Sequence, residues 1–238
     1  MGFFDFLTGG GGGPLKKHCK RMKNLNAQAE ERMISAEWLA DEGSEEAILG
    51  LLGRFTVTYE HRMKDSNEKD AIYGLLRDMG PKVCDPIRAW VRKHDQFAVP
   101  LRIVDEFDGK VAAVDVLLDM LGREVDPFKP EKKRQILIRL AEYQDDRIVA
   151  RVPAVLHDFD EGVRYAAAEA LLCQETDAVR EELAAALASR EEESNRLRVR
   201  LSEAFHKRGW TLTADQAEAV AERPPHGWEM DGLKLRPA

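Results

Sequence analysis

Cysteine is scarce in this 238-residue chain, and its distribution excludes several kinds of site. Only Cys19, Cys84 and Cys173 occur, widely separated and odd in number. No two of them have the short spacing that structural zinc sites and redox-active dithiols require. We therefore expect free thiols in a reducing compartment and predict a cytoplasmic protein.

Long apolar runs and an excess of positive charge are also missing. No stretch approaches the ~20 consecutive apolar residues of a membrane span, so we predict no transmembrane segment. Lysine and arginine total 36 against 43 aspartate and glutamate, and the resulting formal net charge of −7 argues against general nucleic-acid binding. The 44% hydrophobic and 33% charged content is typical of a folded protein with a charged surface.

Patterns that indicate catalysis or metal binding are absent from the sequence as well. The six histidines are scattered, and no predicted helix carries two of them four residues apart, the spacing of a helical metal site. The acidic residues Asp105, Glu106 and Asp108 are interpreted as a solvated helix surface, with a patch for a basic partner or a cation as the alternative. We predict no enzyme, no metal site and no cofactor.

The chain does contain a short signature that occurs twice, 34 residues apart. A period of this length with apolar residues at helical spacing predicts stacked helix pairs. Each pair has too little apolar surface to be stable alone, so neighbouring pairs bury a continuous core. The matching positions are Val163, Arg164, Ala170 and Leu171 in the first copy and Leu197, Arg198, Ala204 and Phe205 in the second.

The first copy has a structural interpretation. Ala167 would let two helices approach closely while Leu171 fills the seam between them. Arg164 would reach an acidic residue of the preceding turn, Asp158 or Asp160. We therefore predict a structural role for the repeat signature, which comprises Val163, Arg164, Ala167, Leu171, Leu197 and Arg198.

Helical patterns follow one another over residues 14–223, which we predict to form one solenoid. Cap residues and breakers such as Ser44, Gly43 and Gly80 separate them, and 56–65 is predicted to be an irregular connection. After two helices that begin at Leu15 and Ala29, the predicted helices cover 47–55, 66–79, 81–93, 100–107, 110–121, 130–143, 147–157, 161–173, 177–189, 194–207 and 213–222.

The last residues, 224–238, have a different pattern. Alternating residues around Trp228 and the turn dipeptide formed by Asp231 and Gly232 predict a small β-hairpin. Because an isolated hairpin is marginal in water, we expect it to pack on the last repeat with Trp228 as the anchor. It would serve either as a cap for the solenoid or as a binding element.

The signature resembles a known repeat family. Residues 163–171, preceded by Asp158 and Asp160 in the interhelical turn, resemble a HEAT repeat of the short bacterial, PBS-lyase-like type, and 197–205 resemble a second copy. The opening residues 2–7 and 14–18 resemble those of uncharacterised bacterial HEAT-repeat proteins. The resemblance implies an all-α, right-handed stack of antiparallel helix pairs that acts in scaffolding and protein binding.

The first 13 residues combine an apolar tip with a glycine tether. Aromatic side chains displayed in this way indicate that another surface receives them. We predict that this segment and the basic residues behind it bind a partner; a weak anchor at an anionic membrane surface and packing on the chain's own first helices remain alternatives. The predicted partner-binding residues are Phe3, Phe4, Phe6, Leu7, Lys16, Lys17, Lys20 and Arg21.

The predicted function is a non-catalytic scaffold or adaptor that binds another protein through a solenoid face. The alternatives are a weak membrane-surface adaptor and a HEAT-like enzyme, either a DNA glycosylase acting on alkylated bases or a bilin lyase. A glycosylase requires a basic concave groove with at least two tryptophans and a carboxylate. A protein scaffold requires an acidic or mixed face with exposed apolar patches.

Overall fold

The computed structural model of the chain describes residues 13–124 and 129–238. Over these residues the chain is helical apart from one small antiparallel sheet near its C-terminus. The predictions of an all-α fold and of a C-terminal hairpin are therefore confirmed. The chain divides into two compact units, residues 1–116 and 117–238. The predicted docking residues Phe3, Phe4, Phe6 and Leu7 lie outside the described residues.

The described part of the first unit is built from helices, the last of which continues across the boundary between the units. Single 3-10 turns, Gly53–Thr56 and Pro81–Val83, follow α3 and precede α5. The helices are α1 (Pro14–Met22), α2 (Ala29–Glu42), α3 (Glu45–Leu52), α4 (Arg62–Asp78), α5 (Cys84–Val91) and α6 (Ala98–Arg123).

The second unit contains further helices followed by the hairpin. A 3-10 segment, Val152–His157, continues α8, and another, Asp177–Val179, leads into α10. The elements are α7 (Pro130–Leu140), α8 (Asp146–Arg151), α9 (Glu161–Leu172), α10 (Arg180–Ala188), α11 (Asn195–Arg208), α12 (Ala214–Glu222), β1 (Trp228–Asp231) and β2 (Lys234–Pro237).

Local capping chemistry explains many of the helix boundaries. Gly43 ends α2 at a φ of +70°, and the Ser44 hydroxyl then accepts a hydrogen bond from the Ala47 N–H at the start of α3. These are the stop and start signals that the sequence predicts. Gly109 has a φ of +84° and a ψ of 169° and kinks α6 between the two predicted helices.

Two predicted boundaries are wrong for identifiable reasons. Helix α4 begins at Arg62 instead of Ser66, because side-chain contacts of Asp65, described below, hold this first turn against the rest of the unit. The segment 147–157 is not one α-helix, since Pro153 lacks an N–H and its ring clashes with the preceding turn. The α-helix therefore ends at Arg151 and continues as a 3-10 segment.

The hairpin packs on α11 through Leu235 as well as through the predicted Trp228. Leu235 is 3% exposed, and its carbonyl lies 2.9 Å from His206 Nδ1 on α11. Trp228 is half-buried and meets the edge of the His206 ring. Because Asp231 pairs with Lys234, Gly232 occupies the first loop position with a φ of +59°, as a two-residue hairpin turn requires.

Helix α9 supplies much of the core of the second unit. Its alanines at 166, 167, 168 and 170 are all buried, together with Val163 and Leu171. Helix α7 packs closely against α9, and a Cβ atom added to Gly162 would lie 2.8 Å from the Arg134 side chain. Small residues on α9 thus allow the close helix approach that the signature predicts.

Candidate functional site

The two copies of the signature begin in the same way in the structure. Asp160 Oδ1 accepts a hydrogen bond of 2.9 Å from the Val163 N–H at the start of α9. Ser194 Oγ accepts one of 3.1 Å from the Leu197 N–H at the start of α11. The two caps are 34 positions apart, and so are the two apolar residues that follow them. Helices α9 and α11 therefore begin in the same register of the repeat.

A row of charged contacts, here termed the charge ladder, links successive helix pairs of the second unit. Lys133 on α7 donates from Nζ to Asp158 Oδ2 at 2.7 Å. Arg164 on α9 donates from Nε and Nη2 to the two carboxylate oxygens of Glu192 at 2.7 and 2.8 Å. In both contacts a cation on one helix holds a carboxylate in the turn before the next helix of the series α7, α9 and α11.

The charge ladder corrects the predicted partner of Arg164. The guanidinium does reach the turn before α9, but it donates to the backbone carbonyls of Asp158 and Phe159, at 3.0 and 3.1 Å. Its carboxylate partner is Glu192, which is 5% exposed. Burial acts to raise the pKa of Glu192, yet the bonds from Arg164 and the Ser194 N–H outweigh it, so that pKa lies below its ordinary value.

Arg198, the counterpart of Arg164 in the second copy, has a different environment. It is 5% exposed, and its Nη2 donates to the backbone carbonyl of Arg223. Among the described residues, no carboxylate pairs with it and its buried Nε has no hydrogen-bond partner. Burial and, after it, the nearby Arg223 guanidinium lower the pKa of Arg198, and they outweigh the attraction of the Glu192 carboxylate, which acts to raise it.

Helices α7, α9 and α11, of which each contacts the next, carry a second row of contacts, here termed the inner-helix face. Arg196 stacks over the ring of Tyr165, with its Cζ atom 3.8 Å from the centroid. Arg200 donates from Nε and Nη2 to the carboxylate of Glu169 at 2.5 and 3.2 Å. These pairs border a cleft of about 400 Å³ whose lining includes Tyr165, Arg196, Arg200 and His226.

An exposed apolar residue lies on the neighbouring helix of this face. Ile138 on α7 is 60% exposed and stands 31 positions before Glu169, the same offset as between Lys133 and Arg164. By register it therefore occupies the place on α7 that Glu169 occupies on α9. The inner-helix face combines both signs of charge with a tyrosine and an isoleucine.

The basic residues predicted to bind a partner lie together on α1. Lys16, Lys17 and Lys20 are exposed and Arg21 is half-buried. None of them forms an ion pair with any residue in the described ranges. The opposite side of α1 is packed, since Met22 is fully buried and the His18 ring stacks on Trp38 at 4.4 Å.

The first unit contains a buried ion-pair network that the sequence analysis missed. Glu68 accepts from Arg32 Nε at 2.6 Å and Nη2 at 2.9 Å, and from Arg54 Nε at 3.0 Å. Asp65 accepts from Arg54 Nη2 at 2.7 Å and Lys69 Nζ at 2.6 Å. The one available signal was Arg54, a charged residue inside the apolar run 47–55.

The ring of Tyr59 completes this network. The Arg32 and Arg54 guanidinium carbons lie 4.6 and 4.8 Å from its centroid, within the range of a cation–π contact. Burial acts to raise the pKa values of Asp65 and Glu68, but hydrogen bonds from their cationic partners outweigh it. Both pKa values therefore lie below the ordinary range.

The tryptophans that a glycosylase-type groove would need are used in packing against other rings. Trp90 stacks on His94 at 4.1 Å, and Trp210 meets Phe205 edge-on while its Nε1 donates to Asp177 at 2.7 Å. Within 13–124 and 129–238, no group of three or more histidine, cysteine, aspartate or glutamate residues is arranged to hold a metal ion. No helix in those ranges is both long and apolar enough to cross a membrane.

Comparisons with known proteins do not identify a family. No family model matches the chain, and no curated protein matches it. Among solved structures it is similar to the crystal structure of an engineered protein, with 15% sequence identity over 89% of this chain and 85% of the other. The TM-score of 0.34 is too low for any argument about fold or function.

Proposed function

We propose that the chain is a HEAT-like solenoid that acts as a scaffold or adaptor and binds another protein through the inner-helix face. The recurring charge ladder supports the repeat architecture, because Lys133 and Arg164 make equivalent contacts in successive helix pairs. In repeat proteins such nearest-neighbour contacts join the units and leave extended surfaces for partners. Residues 3–7 would serve as the second docking element.

The observation that carries the functional proposal is the composition and order of the inner-helix face. Tyrosine and arginine are enriched at the energetically important positions of protein interfaces, and Tyr165 and Arg196 are stacked together there. Arg200 is already held by Glu169. Side chains ordered before binding lose less conformational entropy when a partner docks, so more of the contact energy appears as affinity.

Affinity capture with a face variant tests this proposal. The full chain carrying Tyr165→Ala and Arg196→Ala would be immobilised beside the unmodified chain, incubated with lysate of the native cell, and the retained proteins identified by mass spectrometry. Each retained protein is then purified and titrated against both chains by calorimetry. Loss of an interface tyrosine and arginine is expected to weaken binding at least tenfold, or about 1.4 kcal/mol.

A matched control is available on the neighbouring helix α10. Glu181 and Glu182 are exposed, and alanine at both positions should leave the affinity unchanged. A partner bound equally well by the face variant and the unmodified chain would refute the inner-helix face as the recognition surface. A chain starting at Pro14 tests the second docking element. A partner that the full chain retains and this shorter chain does not would depend on residues 3–7.

A second candidate function, a weak membrane-surface adaptor, is favoured by the basic side of α1. Three exposed lysines there have no ionic partner among the described residues, and each charge near an anionic surface is worth about 1 kcal/mol. This function predicts binding to vesicles containing phosphatidylserine that weakens as salt rises. Unchanged vesicle binding by the Lys16→Glu, Lys20→Glu variant would eliminate it.

A further inference from the structure

The charge ladder ends at Arg198, which forms no ion pair with a carboxylate of the described residues. Lys133 pairs with Asp158, which lies in the turn before α9. Arg164 pairs with Glu192, which lies in the turn before α11. Arg198 is the third member of the series, but the corresponding segment after α12 offers it the backbone carbonyl of Arg223. A buried guanidinium normally has a carboxylate partner, because an uncompensated buried charge is costly.

A cavity lies beside Arg198. It has a volume of about 290 Å³, and its lining includes Arg190, Arg198, Arg223, Glu222 and Ala219. An equivalent cavity of about 280 Å³ lies one repeat earlier, lined by Arg164 and by Glu192, which fills the role of the anion there. The two cavities therefore differ in whether the chain supplies its own carboxylate to the central arginine.

The other charged groups of this cavity already have partners. Glu222 is paired with Arg190 at 2.9 Å, and Arg223 donates to the carbonyls of Ser189, Arg190 and Glu192 at the end of the preceding helix pair. Within 13–124 and 129–238, Arg198 Nε has no hydrogen-bond partner, and the guanidinium donates through Nη2. Three arginines and one glutamate leave a net positive charge around the cavity.

We propose that this cavity binds a carboxylate from an acidic side chain of a protein partner, which the Arg198 guanidinium holds as Arg164 holds Glu192. The carboxylate pairs with Arg198 and restores the charge ladder across an interface. Arg190 and Arg223 favour the approach of an acidic segment electrostatically. The site shares no lining residue with the cleft of the inner-helix face, so it does not depend on the function proposed above.

The test titrates the full chain with defined probes at constant ionic strength. They are a blocked triglutamate peptide, the matching triglutamine peptide, acetate and inorganic phosphate. Binding is read from the ¹H–¹⁵N resonance of Arg198 Nε, assigned by its loss in an Arg198→Lys variant. We expect triglutamate to shift this resonance and to bind about tenfold or more tightly than acetate, while triglutamine causes no shift.

Two variants change the residues that line the cavity, and a third serves as a control outside it. Arg198→Lys keeps the charge but loses the fork that matches a carboxylate, so affinity for triglutamate should fall about tenfold or more. Arg208→Lys, a change of the same kind at the far end of the same helix, should leave it unaltered. Ala219→Glu places a carboxylate in the cavity from within the chain and should raise the melting temperature while abolishing triglutamate binding.

Several results would overturn the proposal. Absence of an Arg198 shift with triglutamate would do so, as would triglutamate binding that survives in both Arg198→Lys and Ala219→Glu. Equal affinity for acetate would assign the site to free small carboxylates, and tighter binding of phosphate would make it a phosphate site. If the Arg198→Lys variant does not fold, calorimetric titration of the unmodified chain and of Ala219→Glu with triglutamate still decides the question, because it needs no resonance assignment and leaves Arg198 in place.

Discussion

Replacement of Glu68 by glutamine is expected to destabilise the first unit by about 3–5 kcal/mol. The substitution keeps the size of the side chain but removes the one carboxylate that Arg32 and Arg54 share. Arg32 is 3% exposed and Arg54 is fully buried, so neither cation can regain full hydration without opening the fold. A buried network of three cations and two carboxylates becomes one of three cations and a single carboxylate.

The magnitude follows from the contacts in the network. Each of the two ion pairs is worth about 4 kcal/mol at an effective dielectric constant near 20, and the desolvation cost that glutamine avoids offsets part of this gain. The remainder is a large fraction of the ~5–15 kcal/mol that typically stabilises a domain. Urea unfolding would measure it, and hydrogen exchange in peptides from α2 and α4 would localise it.

The control is Glu106→Gln, which removes the exposed ion pair with Arg77 and should leave the unfolding midpoint within error. A loss below about 1 kcal/mol for Glu68→Gln would refute the argument from burial. The pKa of Glu68 is lowered in the folded state. The ionised Glu68 therefore stabilises the fold above its unfolded pKa of 4.5, and this stabilisation is lost as pH falls through its folded pKa. The unfolding free energies of Glu68→Gln and of the unmodified chain should therefore converge in acid.

Three further experiments test the core packing, the kink in α6 and the reactivity of the thiols. Ala167→Leu should overpack the fully buried seam of α9 and cost about 1–3 kcal/mol in thermal or urea unfolding. Gly109→Ala should lower the free energy of unfolding by about 1–3 kcal/mol, because the φ of +84° at this position disfavours any side chain. Gly122→Ala, inside α6 with open space around it, should raise the free energy of unfolding by about 0.4–1 kcal/mol. Equal effects of the two changes would contradict the kink at Gly109. Exposed Cys173 should react with a thiol reagent within minutes, but Cys84, which is 3% exposed with a pKa raised by burial to about 12, should react on unfolding.

Elements governed by neighbouring residues were predicted well. Ser44 is predicted as a cap and Asp160 as a turn residue, and each accepts a hydrogen bond from the first turn of its helix. The kink in α6 falls between two predicted helices at Gly109. Caps and breakers act within three or four residues, so their effect can be read without knowledge of the fold.

Partners that are distant along the chain were predicted poorly. Arg164 was expected to pair with an acid in its own turn, but its carboxylate partner is Glu192, 28 positions away. Glu68 meets Arg32 across 36 positions, and nothing in the spacing of these residues indicates the contact. Leu235 was missed for the same reason, because its burial depends on how the strands lie on α11.

Local physics thus suffices for many helix boundaries and caps, the hairpin and the repeat signature of this chain, because hydrogen bonding and hydrophobic periodicity act over a few residues. The partners of Arg54, Arg164 and Arg198 were decided by folding, which brings distant segments together and removes their charges from water. Two arginines at equivalent positions of the signature consequently differ in environment. Arg164 is held by a carboxylate of the chain, whereas Arg198 lies beside a cavity.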